Sequence, residues 1–585
     1  MTDSTNALSG GAFLLQESDP RSTFSPEDFS AEDRLIGQAA DSFLRREVLP
    51  YTEQIEANDT ALMLKLMQLA GAQGLLGADI PRIYGGLGLK VSTAALIAEK
   101  LNWQQSFALT HEAHTVIATL PLLYFGNHDQ KSRYLPKLAS GEWIGSFTLS
   151  EANSGSDALA AETHAVLSSD GKHYVLNGIK QWITNSAFAN LFTVFAQVSG
   201  KFTAFLVERD YAGVSFGDEE KKLGMRGTST RRVYLNNVHV PIENAMEVGK
   251  GQYAAFCALN MGRFKLEAGA VGGLKETLAV CTSYAGERHA FGKSLIEFGL
   301  VQEKLAEMAA SIFALESMVY RLAGDLDRAF EGIVADAPDA SARYHRAAEE
   351  YAVECNIVKV IGSEAYSRHT DEAIQIHGGY GYSESFPVAR AWRDQRLLRI
   401  GEGANEIVRL AIVRTLLRRD EQGRLALFET AQRLIVSPTF ISRPRSWLAP
   451  VFRAAQNTKR LALITLLTAH EQLGKDFFEQ EEIVARIADI ICAAYALESL
   501  WLRCEKCKLN RVPSADNVIS PARVAAYNFS QQAAHAGTYI LDSLRLASSA
   551  GLDRLIQRLH RITASPMHLR RELATKIIEA GGYPI

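Results

Sequence analysis

The run Arg399-Ile400-Gly401-Glu402-Gly403-Ala404-Asn405-Glu406-Ile407 sets one carboxylate between two glycines. The segment that follows repeats apolar residues (Ile407, Leu410, Ala411, Leu417) at helical spacing. This pattern predicts Glu402 on a turn at a helix N-terminus, where the flanking glycines let backbone approach a ligand closely. A carboxylate held there and desolvated by an apolar substrate suits the work of a general base. An acidic residue in an ordinary capping turn is the competing reading of the same residues.

Two further segments carry chemistry. Phe147-Thr148-Leu149-Ser150-Glu151-Ala152-Asn153-Ser154-Gly155-Ser156-Asp157 reads as a strand entering a loop of small hydroxyl residues and glycine. Such a loop offers backbone N–H groups to a large polar cofactor. In Leu176-Asn177-Gly178-Ile179-Lys180-Gln181-Trp182-Ile183-Thr184-Asn185, an indole and a hydroxyl stand two residues apart, on one face of a predicted strand. That pair can pack on a flat ring and hydrogen-bond a ring nitrogen. Cys504-Glu505-Lys506-Cys507 is a lone CxxC in a helical stretch, and His111-Glu112-Ala113-His114 lacks HExxH spacing. Neither makes a zinc site, so no metal is expected.

The elements that position these segments fall into blocks. After a polar arm over 1–30, Ala31–Ala57, Ala61–Gln73 and Ser92–Leu101 read as helices, and the helical region extends to 143. Short β-rich runs follow over 144–250: Ile144–Leu149, His173–Leu176, Leu191–Gln197, Thr203–Val207, Val214–Phe216 and Arg232–Val240. They predict a compact β-barrel. Four long helical stretches over 251–420 (Gln252–Glu287, Gly299–Ala329, Ser341–His369 and Asn405–Arg419) predict a four-helix bundle. Residues 421–585 are helical in pattern and long enough for a further domain. The fold class is thus mainly α with a central β-barrel domain.

With 585 residues, 47% hydrophobic and 22% charged, the chain is expected to form several globular domains. A net charge of −4 argues against electrostatic nucleic-acid binding. No apolar run is long enough to span a bilayer, and the polar start resembles neither a secretory signal nor a transit peptide. Six scattered cysteines fit a reducing compartment, and a cytoplasmic location is the expectation.

Taken in order with Tyr84-Gly85-Gly86-Leu87-Gly88-Leu89, Tyr134-Leu135-Pro136-Lys137-Leu138-Ala139-Ser140-Gly141-Glu142, Arg288-His289-Ala290-Phe291-Gly292-Lys293, Gln375-Ile376-His377-Gly378-Gly379-Tyr380-Gly381 and Arg393-Asp394, these segments resemble the acyl-CoA dehydrogenase family. Its usual motifs read TEPxAGSD, WITN, RxxFGK, QxxGGxG and EGT. The resemblance covers Ala31 to about Arg419 and is nearest the very-long-chain branch, through Leu259-Asn260-Met261-Gly262-Arg263-Phe264, Phe298-Gly299-Leu300-Val301-Gln302-Glu303-Lys304 and the long C-terminal extension.

The resemblance implies FAD, with no Rossmann fingerprint required. Phe147, Leu149, Ser150, Gly155 and Ser156 would line the isoalloxazine with Trp182, Ile183 and Thr184, the last near flavin N5. Arg288, Phe291 and Phe298 with Gln375, Gly378 and Gly379 would hold the pyrophosphate and adenosine end, in part across a dimer interface. Ala404, Asn405 and Glu406 would also approach FAD. Ser156, Asn260, Arg263, Gly403 and, more loosely, Arg414 would meet the acyl-CoA substrate. Glu402 would take the α-proton while a β-hydride leaves for the flavin, and electrons would pass to electron-transfer flavoprotein. Ala404 stands where the family usually has Thr, which implies one cofactor hydrogen bond fewer, about 1 kcal/mol.

A scaffold or assembly flavoprotein, and an acyl-CoA oxidase using O₂, remain alternatives. From Ser106-Phe107-Ala108-Leu109-Thr110 to Ala118-Thr119-Leu120 no bulky polar plug is evident, which with Gly262 suggests a deep apolar slot and a preference for C12–C18 chains over C4. Each buried methylene would add about 0.8 kcal/mol. The C-terminal extension is expected to set a homodimer. Its apolar runs Leu425–Ile435 and Leu461–Leu473, with Arg443, Arg445, Arg453, Lys459 and Arg460, read as a face packed on the catalytic domain with solvated arginines, or alternatively as a peripheral membrane contact.

Overall fold

Ser30 opens the N-terminal helical region with a reciprocal cap. Its hydroxyl accepts from Asp33 N (3.1 Å) while the Asp33 carboxylate accepts from Ser30 N (3.0 Å). The computed structural model describes residues 9–436, 448–513, 515–545, 551–560 and 565–585. The helix expected over Ala31–Ala57 runs only over Ala31–Phe43. It continues as a π turn, Leu44–Val48, and a 3-10 turn, Leu49–Tyr51, before Thr52–Glu56. Pro50, with no N–H to donate, accounts for the break. Thr60–Ala72 and Val91–Leu101 follow, then Gln105–Glu112, a second π turn over Ala113–Ala118, and Thr119–Phe125.

The β-region contains β1 (Gly145–Thr148), β2 (His164–Leu167), β3 (His173–Thr184), β4 (Leu191–Val198), β5 (Lys201–Glu208), β6 (Val214–Phe216) and β7 (Thr230–Pro241). The strand order is β1-β4-β2-β3-β7-β6, with β5 also on β4. The sheet curls as a barrel would, but its ends β5 and β6 do not pair with each other, and β1 runs parallel to β4. It is therefore a half-open sheet rather than a closed barrel. β2 did not register in the sequence because only one of its four residues is buried, leaving no alternating signal.

The four bundle helices are Gly251–Glu287, Gly299–Phe330, Ala352–His377 and Asn405–Glu421. The stretch expected as Ser341–His369 divides into Ala340–Glu350 and Ala352–His377, because Tyr351 leaves helical geometry (ψ 26°). The first bundle helix can touch the N-terminal helices through glycine: a Cβ at Gly272 would fall 1.8 Å from the main-chain oxygen of Glu99.

The C-terminal helices Ala449–Leu473, Glu481–Leu509, Ile519–Leu544 and Pro566–Ala580 pack on the bundle. Buried and half-buried ion pairs join the parts: Arg321 to Glu498 (2.8 Å), Arg503 to Glu27 (2.7 Å) and Glu316 (2.6 Å), and Arg409 to Asp489 (2.7 Å). This packing agrees with the packing reading of the Leu461–Leu473 stripe. Leu461, Leu463, Leu466 and Leu467 lie in the core, and Lys459 is only 4% exposed, paired with Glu498. The apolar stripe is consumed inside the molecule. Arg443 and Arg445 lie outside the described residues. No helix among the described residues is long and apolar enough to cross a membrane.

Candidate active site

Glu402 sits on the turn between Arg396–Arg399 and the fourth bundle helix, with φ 55°; Gly403 follows at φ 98°. Two consecutive left-handed residues aim the Glu402 carboxylate at the first bundle helix, where Gly262 leaves room for it. A Cβ at Gly262 would lie 3.2 Å from Glu402 Oε2 and 3.2 Å from Ile117 Cγ2. The carboxylate thus lies between the bundle and the π turn Ala113–Ala118, and its Oε2 is buried with no hydrogen-bond partner among the described residues. Burial raises its pKa to about 7, against the pull of Arg263 and Lys359. A free oxygen on a carboxyl poised near neutrality is what a general base requires.

The turn is held from behind. Arg263 Nε donates to Glu402 O (2.8 Å), and its Nη1 donates to Asn260 Oδ1 (3.2 Å) and Asn356 Oδ1 (2.9 Å). Lys359 Nζ donates to Gly403 O and Asn405 Oδ1, each at 2.6 Å. Three expected ligand contacts therefore look inward. Asn260 is engaged with Arg263 and Ala348 O, and Asn405 is buried against Lys359, Ser363 and Glu364. Arg263 serves the turn itself. Arg414 lies about 13.5 Å along the fourth bundle helix from its start, stacked over Phe478 at 4.9 Å. It is not brought to Glu402. Glu406 is exposed on the first turn of that helix, and Ala404 caps it without a side-chain bond.

The second cluster is the loop after β1 with the end of β3. Gln181 N donates to Ser150 O (2.9 Å), tying the two segments together. Phe147 and Leu149 are nearly buried beneath, while Gly155 has open space around it and Ser156 is exposed. The strand is not regular where Trp182 stands. Its register with β7 slips between Lys180 and Ile183, and Trp182 takes φ 62°. The bulge turns the indole out, 56% exposed, while Ile183 is buried and Thr184 half-buried. Thr148 Oγ1 is buried and unpartnered in the same region. An open glycine loop, a bare indole and an orphaned hydroxyl fit a flat, heteroatom-rich ring.

A third cluster lies at the other end of the bundle. Arg288 stands 5.8 Å over the Tyr380 ring, beside exposed Gln375, Gly378 and Gly379. Phe291 is 96% exposed and meets Phe298 edge-on at 6.3 Å. Arg288 is about 39 Å along the first bundle helix from Gly262, so one chain does not bring this cluster to Glu402.

The structure also corrects the unobstructed slot. Gly262, Leu266, Gly269 and Gly273 share one face of the first bundle helix. At Gly269 a Cβ would meet Asn102 Nδ2 (2.7 Å) and Glu112 Oε1 (3.1 Å), and at Gly273 the Tyr366 hydroxyl (2.0 Å). This polar wall stands about 10.5 Å from Gly262. Both Glu112 oxygens lack hydrogen-bond partners among the described residues, and burial raises its pKa to about 8. In the sequence Glu112 stands out only within the His111-Glu112-Ala113-His114 run, and Lys359 carries no motif of its own. The signals that point to them are a glycine stripe at helical spacing and one lysine inside the apolar run Ile357-Val358-Lys359-Val360-Ile361. Among the described residues no cluster of His, Cys, Asp or Glu could hold a metal ion. His111 and His114 bond to Leu75 O (3.1 Å) and Leu138 O (3.0 Å).

Sequence models of acyl-CoA dehydrogenase domains match the chain in order: the N-terminal domain at 30–142, the middle domain at 146–238, and C-terminal domains at 249–417 and 457–546. A probable acyl-CoA dehydrogenase of Bacillus subtilis (strain 168) is 40% identical over 98% of both chains. The mitochondrial very long-chain specific acyl-CoA dehydrogenase of Homo sapiens is 37% identical over 65% of this chain and 58% of its own. A crystal structure of an acyl-CoA dehydrogenase complexed with FAD from Bacillus anthracis superposes with a TM-score of 0.95 at 39% identity, over 99% of this chain and 100% of that one.

Proposed function

Since the chain belongs to the acyl-CoA dehydrogenase family, we propose that it converts an acyl-CoA to the trans-2-enoyl-CoA, with Glu402 as the base that removes the α-proton. The observation that carries this reading is the Glu402 carboxyl: one oxygen unpartnered, a pKa of about 7, and a glycine on the facing helix that leaves it room. A thioester α-proton is only weakly acidic. The base must therefore be desolvated and fixed beside it, and the enolate charge must be met by fixed dipoles as it forms.

FAD supplies the hydride acceptor when bound, as the complex of the Bacillus anthracis relative suggests. Ser150, Gly155, Trp182 and Thr184 would hold its ring from the β-region. Arg288, Phe291, Gln375 and Gly378 lie too far from Glu402 to serve the same site, so they would hold the pyrophosphate end in a second copy of the chain. The exposure of Phe291 supports a homodimer built on that face. Electron-transfer flavoprotein is the acceptor this family membership favours.

The acyl chain would lie along the Gly262–Leu266–Gly269 face. Similarity to the very-long-chain enzyme favours long substrates, whereas the Glu112–Asn102 wall stands about 10.5 Å along that face from Gly262. Chains beyond that length require the wall to move. The test is anaerobic flavin reduction by acyl-CoAs from C4 to C18, followed by reoxidation with electron-transfer flavoprotein or O₂. Bleaching by straight-chain acyl-CoAs and reoxidation by the flavoprotein support the proposal. Flavin that stays oxidised with every substrate indicates a scaffold, and fast reoxidation by O₂ alone an oxidase.

A further inference from the structure

We propose that Lys359 is a positioning residue for the base: its ammonium, bonded to Gly403 O and Asn405 Oδ1, fixes the Glu402–Gly403 turn and sets a positive charge behind it. The inference rests on the dehydrogenase reading above and deepens it.

Glu402 is a non-glycine residue at φ 55°, a strained conformation that persists only where its surroundings impose it. The surroundings here are two cations from two helices, each on a successive carbonyl. Arg263 of the first bundle helix holds Glu402 O at 2.8 Å, and Lys359 of the third holds Gly403 O at 2.6 Å. The second Lys359 bond, to Asn405 Oδ1 at 2.6 Å, reaches the first residue of the fourth helix. One ammonium thus ties the turn to the helix that follows it. Lys359 is 1% exposed, so burying its charge must be offset by these acceptors.

The groups facing Lys359 decide where its charge acts. From the first bundle helix come Arg263 and Glu267; from the turn and fourth helix come Glu402 and Glu406. Glu267 is fully buried, and neither of its oxygens has a partner among the described residues. Burial holds its carboxyl well above the usual range, against the pull of Lys359. The Lys359 charge, with that of Arg263, draws the Glu402 carboxyl down against burial, while burial lowers the lysine's own pKa to about 8.

The test compares Lys359→Met, Lys359→Gln and Lys359→Arg as purified FAD-loaded enzymes, with acyl-CoA kinetics across pH. For Met, kcat should fall about tenfold or more, with KM nearly unchanged, and the acidic limb of kcat/KM should move up by about one pH unit. Gln keeps an N–H donor without charge, so it should recover part of kcat and leave the limb displaced. Arg should return the limb to its wild-type position. Should the Met enzyme fail to fold, Gln and Arg carry the same comparison. A wild-type limb in every uncharged variant overturns the proposal, as does a loss of kcat that Arg does not relieve. Wild-type enzyme that reduces no flavin with any acyl-CoA overturns the dehydrogenase reading itself, and this proposal with it. An active wild type with indifferent variants overturns this proposal alone.

Discussion

Gly262 and Glu402 share one volume: the space a side chain at 262 would enter is taken by Glu402 Oε2, 3.2 Å from the position of the missing Cβ. Glycine inside a long helix costs about 1 kcal/mol relative to alanine, so its presence here is repaid by the position of the carboxylate. Gly262→Ala should therefore leave the melting temperature equal or higher while lowering kcat about tenfold, since small misplacements of a base are costly. Calorimetry and steady-state kinetics on one preparation check this. Unchanged kcat would mean that the carboxylate does not work from this position.

The Glu402 carboxyl sits above its ordinary value, with a pKa of about 7. Below that pH it holds a proton and cannot accept another. kcat/KM should accordingly rise tenfold per pH unit below about 7 and level off above it. A rate already flat from pH 5 upward would mean a base with an ordinary carboxylate pKa.

Glu112 keeps its proton up to about 8 in the folded chain, against 4.5 for the free side chain. Between those values the folded state binds more protons than the unfolded one, so this group's contribution to stability falls as pH rises through the window and levels off above it. Glu112→Gln escapes that loss. Its advantage in unfolding free energy over wild type should grow between pH 5 and 8 by a few kcal/mol, at about 1.4 per pKa unit. A difference that is constant with pH would mean that Glu112 finds a partner when it ionises.

If Arg288 serves the site of the other copy, two dead variants should repair each other. In a hybrid of Arg288→Glu and Glu402→Gln protomers, one site carries both lesions and the other neither. Co-expression should yield about a quarter of wild-type activity in a twofold dimer, and sedimentation should show that dimer. No activity in the mixture would place Arg288 in its own chain's site.

Much of this arrangement was legible because it rests on local signals. The Gly401-Glu402-Gly403 turn, the hydroxyl loop after Leu149 and the long amphipathic helices each announce themselves within a few residues. What was not legible depends on contacts distant in sequence. The bulge that turns Trp182 outward arises from its register with β7, and Lys359 matters only because residues 403 and 405 fold beneath it. Asn260 and Asn405 carry the right chemistry for a ligand, yet their amides are already engaged by Arg263 and Lys359. The Leu461–Leu473 stripe reads as a packing face or, with its basic neighbours, as a membrane face. Only the tertiary fold, with Lys459 buried on Glu498, separates the two.

Glu402→Gln, loaded with FAD and mixed anaerobically with acyl-CoA in a stopped-flow spectrometer, puts the role of the base to trial. The substitution keeps shape and removes basicity. Substrate should still bind, seen as a perturbed flavin spectrum, while bleaching slows by about 10²–10⁴-fold, the usual contribution of a general base. Bleaching at the wild-type rate would show that another group takes the α-proton and that Glu402 is only a buried carboxyl in a capping turn.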